Sequence, residues 1–153
     1  AAFAWIERNV PGLPVMTEAW GPPYRDYARF SSDTGIPALV GWDYHLFQRG
    51  QARPEIERRI LELERPYAPV ALSDAGHVLR RYGPGLVVSG IEEREAYGPA
   101  HGTLFRALPG LLEPVFSAGD VTLYRILLGE RYEMGHLISR APSDPDQDPS
   151  TSN

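Results

Sequence analysis

The chain of 153 residues contains no lysine and no cysteine, and all 15 of its basic residues are arginine. Without lysine there is no Schiff-base chemistry and no P-loop phosphate lysine. Without cysteine there are no disulfides, no thiolate catalysis and no thiolate metal sites. The arginine bias itself reads as a GC-rich genome rather than as chemistry. No stretch approaches the roughly 18 consecutive apolar residues of a membrane helix, and no targeting signal opens the chain, so the piece reads as soluble. Strong charge of one sign is also missing, since the net charge is -5. From Gly129 onward five acids face only two arginines, which leaves the body close to neutral. A nucleic-acid binder normally carries a basic face, so nucleic acid is not an expected partner.

What is present is a globular composition, with 42% hydrophobic and 23% charged residues. The length suits one domain. Phe3, Ala4, Trp5 and Ile6 before Pro11 and Gly12 read as the end of a helix. Val15 to Trp20 reads as a strand, 24–34 as a long ordered loop, 36–41 as a short buried strand and 42–50 as irregular. Ile56, Ile60 and Leu63 recur at helical spacing behind Pro54, predicting a helix over 54–65. Ser73 and Asp74 cap a second helix that stops at Gly83. Leu86 to Ser89 reads as a third strand, 92–97 as a helical turn, and 112–127 as a hairpin turning at 117–120.

Strands separated by helices predict an α/β fold: three layers, a mostly parallel sheet with helices on both faces, and a C-terminal antiparallel hairpin. The ordered domain is expected over 1–128. The pattern decays over 129–153, a flexible tail whose last part, 141–153, has no apolar anchor.

Polar and aromatic residues concentrate between Glu18 and Arg53, in two loops that follow strand ends, where ligands of open α/β sheets gather. Aromatic faces beside carboxylates, amides and guanidiniums suit a sugar, and equally a phosphate or a peptide. Glu18 is either a general base or a carboxylate paired with Arg25 or Arg29. Asp43 and His45 could touch a metal, but one histidine and one acid make a weak ligand set. His77, His101 and His136 have no partner at ligand spacing. Ser31 and Ser32 lack the G-x-S-x-G elbow and read as turn or capping residues. Gly83, Gly85 and Gly90 flank a strand and so do not form a dinucleotide fingerprint.

The order of these residues carries a resemblance. Arg29, Ser31, Thr34, Gly35 and Pro37, then Gly41, Trp42, His45, Gln48, Gly50, Arg53 and Pro54, with Glu18 upstream, are similar to R-x-S-x-x-T-G-[LI]-P followed by G-W-x-x-H-E-x-Q-W-R-G and R-P. That pattern is associated with the C-terminal soluble region of the YYY family of bacterial and archaeal integral membrane proteins. Tyr82, Val87, Val88, Gly90, Glu93, Tyr97, Gly98, Phe105, Phe116 and Val121 to Arg125 resemble the later part of the same region. Leu46 stands where the pattern has Glu, and Arg49 follows Gln48 directly where it has Trp.

The resemblance implies a glycosyltransferase C-like parent with a lipid-linked sugar donor, the soluble domain lying on the extracytoplasmic side of the cell membrane. The catalytic carboxylate of such a parent lies between membrane helices. This piece is then expected to have no catalytic residue, metal or cofactor of its own and to bind substrate beside a membrane-embedded active site. Its partners are expected to be the membrane part of the same chain and a glycan or polyprenyl-phosphate-linked sugar. Glu18, Arg29, Ser31, Thr34, Trp42, His45, Gln48 and Arg53 would line the cleft, with Arg29 and Arg53 on an anionic group and Trp42 stacked on the sugar. Two alternatives stand beside it: an interaction module without ligand, and a small soluble hydrolase using Glu18 or Asp43 with His45.

Overall fold

The computed structural model describes residues 1–23, 25–67, 72–82 and 85–127. The expected tail over 129–153, the helix stop at Gly83 and the loop residue His136 lie outside the described residues. The elements run α1 (Ala2–Asn9), β1 (Val15–Thr17), α2 (Arg29–Thr34), α3 (Asp43–Gln48), α4 (Arg53–Tyr67), α5 (Leu72–Arg81), β2 (Gly85–Ser89), α6 (Ile91–Tyr97), α7 (Ala100–Arg106), β3 (Leu112–Ala118) and β4 (Val121–Ile126).

The strands form one mixed sheet in the order β1-β2-β4-β3. β1 and β2 pair in parallel, Val15 against Gly85 and Thr17 against Val87, whereas β2–β4 and β3–β4 are antiparallel. The fold is α/β as the sequence indicates, but the mostly parallel expectation is corrected, since two of the three pairings run antiparallel. The physical reason is that β4 does not extend the sheet at its edge; it pairs directly with the central β2, Leu86 against Arg125 and Ser89 against Thr122.

The expected strand over 36–41 contributes one bridge, Met16 to Ala38. The Met16 N–H donates to Pro37 O and the Leu39 N–H to Met16 O, both at 2.8 Å. Pro37 has no N–H of its own to extend that ladder.

Strand alternation sorts the core into two clusters. Val87, Tyr124, Ile126 and Leu112 meet Leu63, Tyr67, Leu79 and Phe105 from the helices. Leu86, Val88 and Leu123 meet Ile6 and Phe30 with Met16 of β1. Helix α4 runs through Pro66 and delivers Tyr67, with no exposed surface, into the first cluster. Its opposite face is ionic. Glu62, nearly buried, accepts from Arg58 Nη1 at 2.5 Å, from Arg81 Nη1 at 3.0 Å and from the Tyr82 hydroxyl, joining α4 to the end of α5.

Candidate functional site

Because β1 and β2 are parallel, their carboxyl ends open on the same side, and the chain continues there as Glu18 and as Gly90 leading into α6. Glu18 is 5% exposed. Its Oε2 accepts the Phe30 N–H and its Oε1 the Ser31 N–H, both at 3.0 Å. Helix α2 begins after Ala28, which has no side chain to cap it and sits at φ 58°. A carboxylate from the distant strand thus satisfies amides that the helix leaves open. Burial pushes the Glu18 carboxyl above its ordinary range, against the hydrogen bonds from Ser31 and Phe30, and the nearby Glu93 adds to the rise.

The sign of the resulting pH dependence follows. Between the ordinary carboxylate value and the raised folded value, the folded chain holds a proton that the unfolded chain has released, so this contribution to stability falls as pH rises through that window. Glu62 works oppositely. Burial alone would raise its pKa, but the bonds from Tyr82 and Arg58 outweigh that and lower it, so its contribution is lost as pH falls below the ordinary value. Glu18→Gln is therefore expected to flatten the decline of urea midpoint above the ordinary carboxylate range while leaving the acid limb in place. An unchanged decline in the variant would rule Glu18 out as its source.

Behind Glu18 lies a hydrogen-bonded layer of which the sequence pattern includes Glu93 and Tyr97 without giving them a role in the site. Glu93, 2% exposed, accepts the Ala19 N–H at 2.8 Å. The Tyr97 hydroxyl accepts the Trp20 N–H at 3.2 Å, and burial lifts its pKa to about 12. Glu93 and Tyr97 are four apart, on one face of α6, and that spacing is the signal that could have found them. The Tyr67 hydroxyl lies 2.9 Å from both Thr17 O and Val88 O, tying the ends of β1 and β2 together, while its ring stacks on Tyr97 at 4.8 Å. His101 is fully buried, its Nδ1 2.7 Å from Gly98 O and its Nε2 3.0 Å from Ser89 Oγ. A carbonyl only accepts, so Nδ1 carries the proton and Nε2 accepts from the serine hydroxyl. Burial lowers the pKa of His101 and favours this neutral form.

The expected site residues divide between places. Glu18, Arg29 and Ser31 meet at the start of α2, where Arg29 forms an ion pair with Glu92 of α6. The Ser31 hydroxyl donates to Ala28 O at 3.0 Å, and that of Thr34 to Phe30 O at 2.6 Å. The Trp42 indole N–H donates to Tyr27 O at 3.3 Å, with its ring 5.1 Å from the His45 ring, edge to face. Gln48 is exposed at the end of α3. The Arg53 guanidinium covers the Phe47 ring at 4.3 Å, beside a small pocket of about 90 Å³ that includes Asp43, Tyr44 and Glu57.

A larger cleft, about 440 Å³, opens beyond the carboxyl ends of β1 and β2. Pro22, Arg25, Asp26 and Tyr27 form one wall, and Ile91, Glu92 and Glu95 the other. None of the eight expected residues lines it, yet two of their partners do: Tyr27, whose carbonyl holds Trp42, and Glu92, which holds Arg29. Gly21 lets the wall form, because a β-carbon there would lie 2.4 Å from the Tyr27 ring. Glu92 Oε2 is buried with no hydrogen-bond partner.

Among the described residues no group of three or more histidines and acids could hold a metal, and no helix is long and apolar enough to cross a membrane. Fold and site together define a mixed α/β domain with an acid-rich cleft at the carboxyl ends of its parallel strands. Comparison with family models, curated proteins and solved structures finds no match for the chain.

Proposed function

We propose that this chain is the extracytoplasmic, non-catalytic recognition domain of a glycosyltransferase C-like membrane protein of the YYY type, and that it holds a sugar in the cleft between residues 22–27 and α6. In this reading the domain has three layers, and the membrane-embedded part of the same protein completes the active site. The observation that carries the sugar assignment is the cleft wall itself. Asp26 and Glu95 offer exposed carboxylate acceptors and Glu92 a third carboxylate beside them, while Arg25 and the Tyr27 ring supply a donor and an apolar face. An ionised carboxylate only accepts, and sugar hydroxyls are donors.

Three carboxylates against one arginine favour the hydroxyls of the sugar over the phosphate of a polyprenyl-phosphate-linked donor. Arg29, the residue expected on an anion, is already committed to Glu92. A hydrolase using Glu18 is disfavoured by that carboxylate's burial under two backbone amides. The reading as a ligand-free interaction module draws on the same inward bonding of Glu18, Ser31 and Thr34, and differs in what it expects of the cleft.

Titration calorimetry of this chain with neutral mono- and disaccharides, sugar phosphates and a short prenyl phosphate separates these readings. Neutral sugars are expected to bind saturably, and Asp26→Asn with Glu95→Gln to weaken them about tenfold or more, as loss of charge-assisted bonds of about 1.5–3 kcal/mol would do. Binding of prenyl phosphate alone, or sugar binding indifferent to both substitutions, would remove the sugar from this cleft.

A further inference from the structure

The amino ends of β1 and β2 carry a second concavity, about 550 Å³ and mostly apolar. Trp5 and Val10 come to it from α1 and its exit, Leu86 and Val115 from the sheet, and Leu13, 72% exposed, from the segment between. The Trp5 ring packs on Phe116, ring centres 5.5 Å apart, which fixes it over the sheet. Pro11 and Pro14, also in the lining, restrict the backbone between α1 and β1, so this side is stiff before anything binds. A chiefly apolar cavity of roughly 300–1,000 Å³ with a few polar groups is the ordinary form of a small-molecule site.

One lining residue is out of place on an apolar face. Arg125 of β4 pairs directly with Leu86 of β2, and directly opposed residues of antiparallel strands share a face. That face is the one on which Leu86, Val88 and Leu123 meet Ile6 and Phe30. An inward-turned charge commonly guards a sheet edge, but β4 lies between β2 and β3 and has no edge to guard. An ion pair does not account for it either: Arg125 Nε stands 3.8 Å from Glu113 Oε2, beyond hydrogen-bond length, and both side chains are more than half exposed. Asn9, also in the lining, already donates its Nδ2 to Trp5 O at 2.8 Å. Among the described residues of the lining, Arg125 is the one charged group, and its guanidinium keeps N–H groups for a ligand.

An apolar trough holding one guanidinium matches a ligand with an apolar chain and one anionic head. A carboxylate brings a single charge and two oxygens that fit the guanidinium fork. A phosphate monoester carries roughly 1.5–2 negative charges, and the excess would stand near Glu113 with no second cation in the lining. We propose that this groove binds a free single-chain amphiphile with one carboxylate, its chain lying on Trp5, Val10, Leu13, Leu86 and Val115 and its carboxylate on Arg125. The site is separate from the sugar cleft at the other end of the parallel pair, and the proposal does not depend on that reading.

Titration calorimetry of the full chain with decanoate, below its micelle concentration, tests it against decanol, decylammonium and decyl phosphate. Decanoate is expected to bind saturably and at least tenfold more tightly than any of the other three. Arg125→Gln is expected to weaken decanoate about tenfold or more while leaving decanol unchanged, a split that general loss of structure would not give. Leu13→Asp, at a position exposed enough to spare the fold, is expected to weaken decanoate and decanol alike. Equal decanoate affinity in the parent and Arg125→Gln, or tighter binding of decyl phosphate or decylammonium than of decanoate, would overturn the proposal. Co-sedimentation with vesicles of phosphatidylcholine and phosphatidylglycerol in place of saturable decanoate binding would overturn it in favour of a lipid surface. A concentration-dependent dimer abolished by Leu13→Asp, with no decanoate binding, would overturn it in favour of a second copy.

Discussion

Tyr67→Ala is expected to remove about 3–5 kcal/mol of stability, the cost of emptying an aromatic site in a packed core. Tyr67 has no exposed surface, and its ring meets Tyr97, His101 and Phe105, so no neighbour is placed to collapse into the space without losing its own contacts. Tyr67→Phe separates the hydroxyl from the ring. The single phenolic proton serves both Thr17 O and Val88 O, at the carboxyl ends of the two parallel strands. Its loss leaves buried carbonyls short of a donor, at about 1–3 kcal/mol. Urea unfolding of the three proteins gives both numbers. A phenylalanine variant within about 0.5 kcal/mol of the parent, the range of an ordinary surface change, would mean the hydroxyl does not tie the strand ends together.

Gly85→Ala is expected to be nearly as damaging for a different reason. A β-carbon at Gly85 would lie 2.4 Å from Val15 O, and a backbone oxygen in a paired strand cannot swing aside as a side chain can. β1 has only three residues, so displacing Val15 disturbs its whole pairing with β2 and shifts Glu18, on which the start of α2 depends. Overpacking of this kind costs about 1–3 kcal/mol, and here the upper end is expected. Gly110→Ala is the control, with open space around its β-carbon, and is expected within about 0.5 kcal/mol of the parent. Thermal unfolding of both variants checks the pair. Equal melting temperatures for the two would contradict the close approach of β1 to β2.

Much of the frame is visible in the sequence because it is written in local terms. The 3.6-residue spacing of Ile56, Ile60 and Leu63 marks α4, the apolar run from Leu86 marks β2, and alternation from Val121 marks β4. What escapes is fixed by distant partners. Helix α2 is six residues long, RFSSDT, begins at an alanine, and takes its cap from Glu18 ten residues before that alanine, so no local signal announces it. Helix α7 contains Gly102 and Thr103, poor helix formers, and is held by the burial of His101 and Phe105. Helix α3 buries no residue fully and reads locally as an aromatic loop. The sheet's direction escapes for the same reason: nothing in 112–126 says that β4 will pair with β2 rather than extend an edge.

The candidate site divides in the same way. The 18–53 block is correctly read as polar and dense, but its density is largely spent inward. Glu18 caps α2, Thr34 bonds back to Phe30 O, and Arg29 answers Glu92. Asp26 and Glu95, both in the lining of the cleft, stand 69 residues apart in the sequence, and it is the parallel pairing of β1 with β2 and the contacts from 19–29 to α6 that bring their segments together.

The most direct measurement is backbone amide chemical-shift mapping of the labelled chain during titration with a neutral disaccharide. Saturable shifts concentrated at 25–27 and 91–95, absent in the Asp26→Asn, Glu95→Gln protein, are the expected result. Shifts confined to Gln48 and Arg53, or no saturable shift at millimolar sugar, would contradict a sugar site in this cleft.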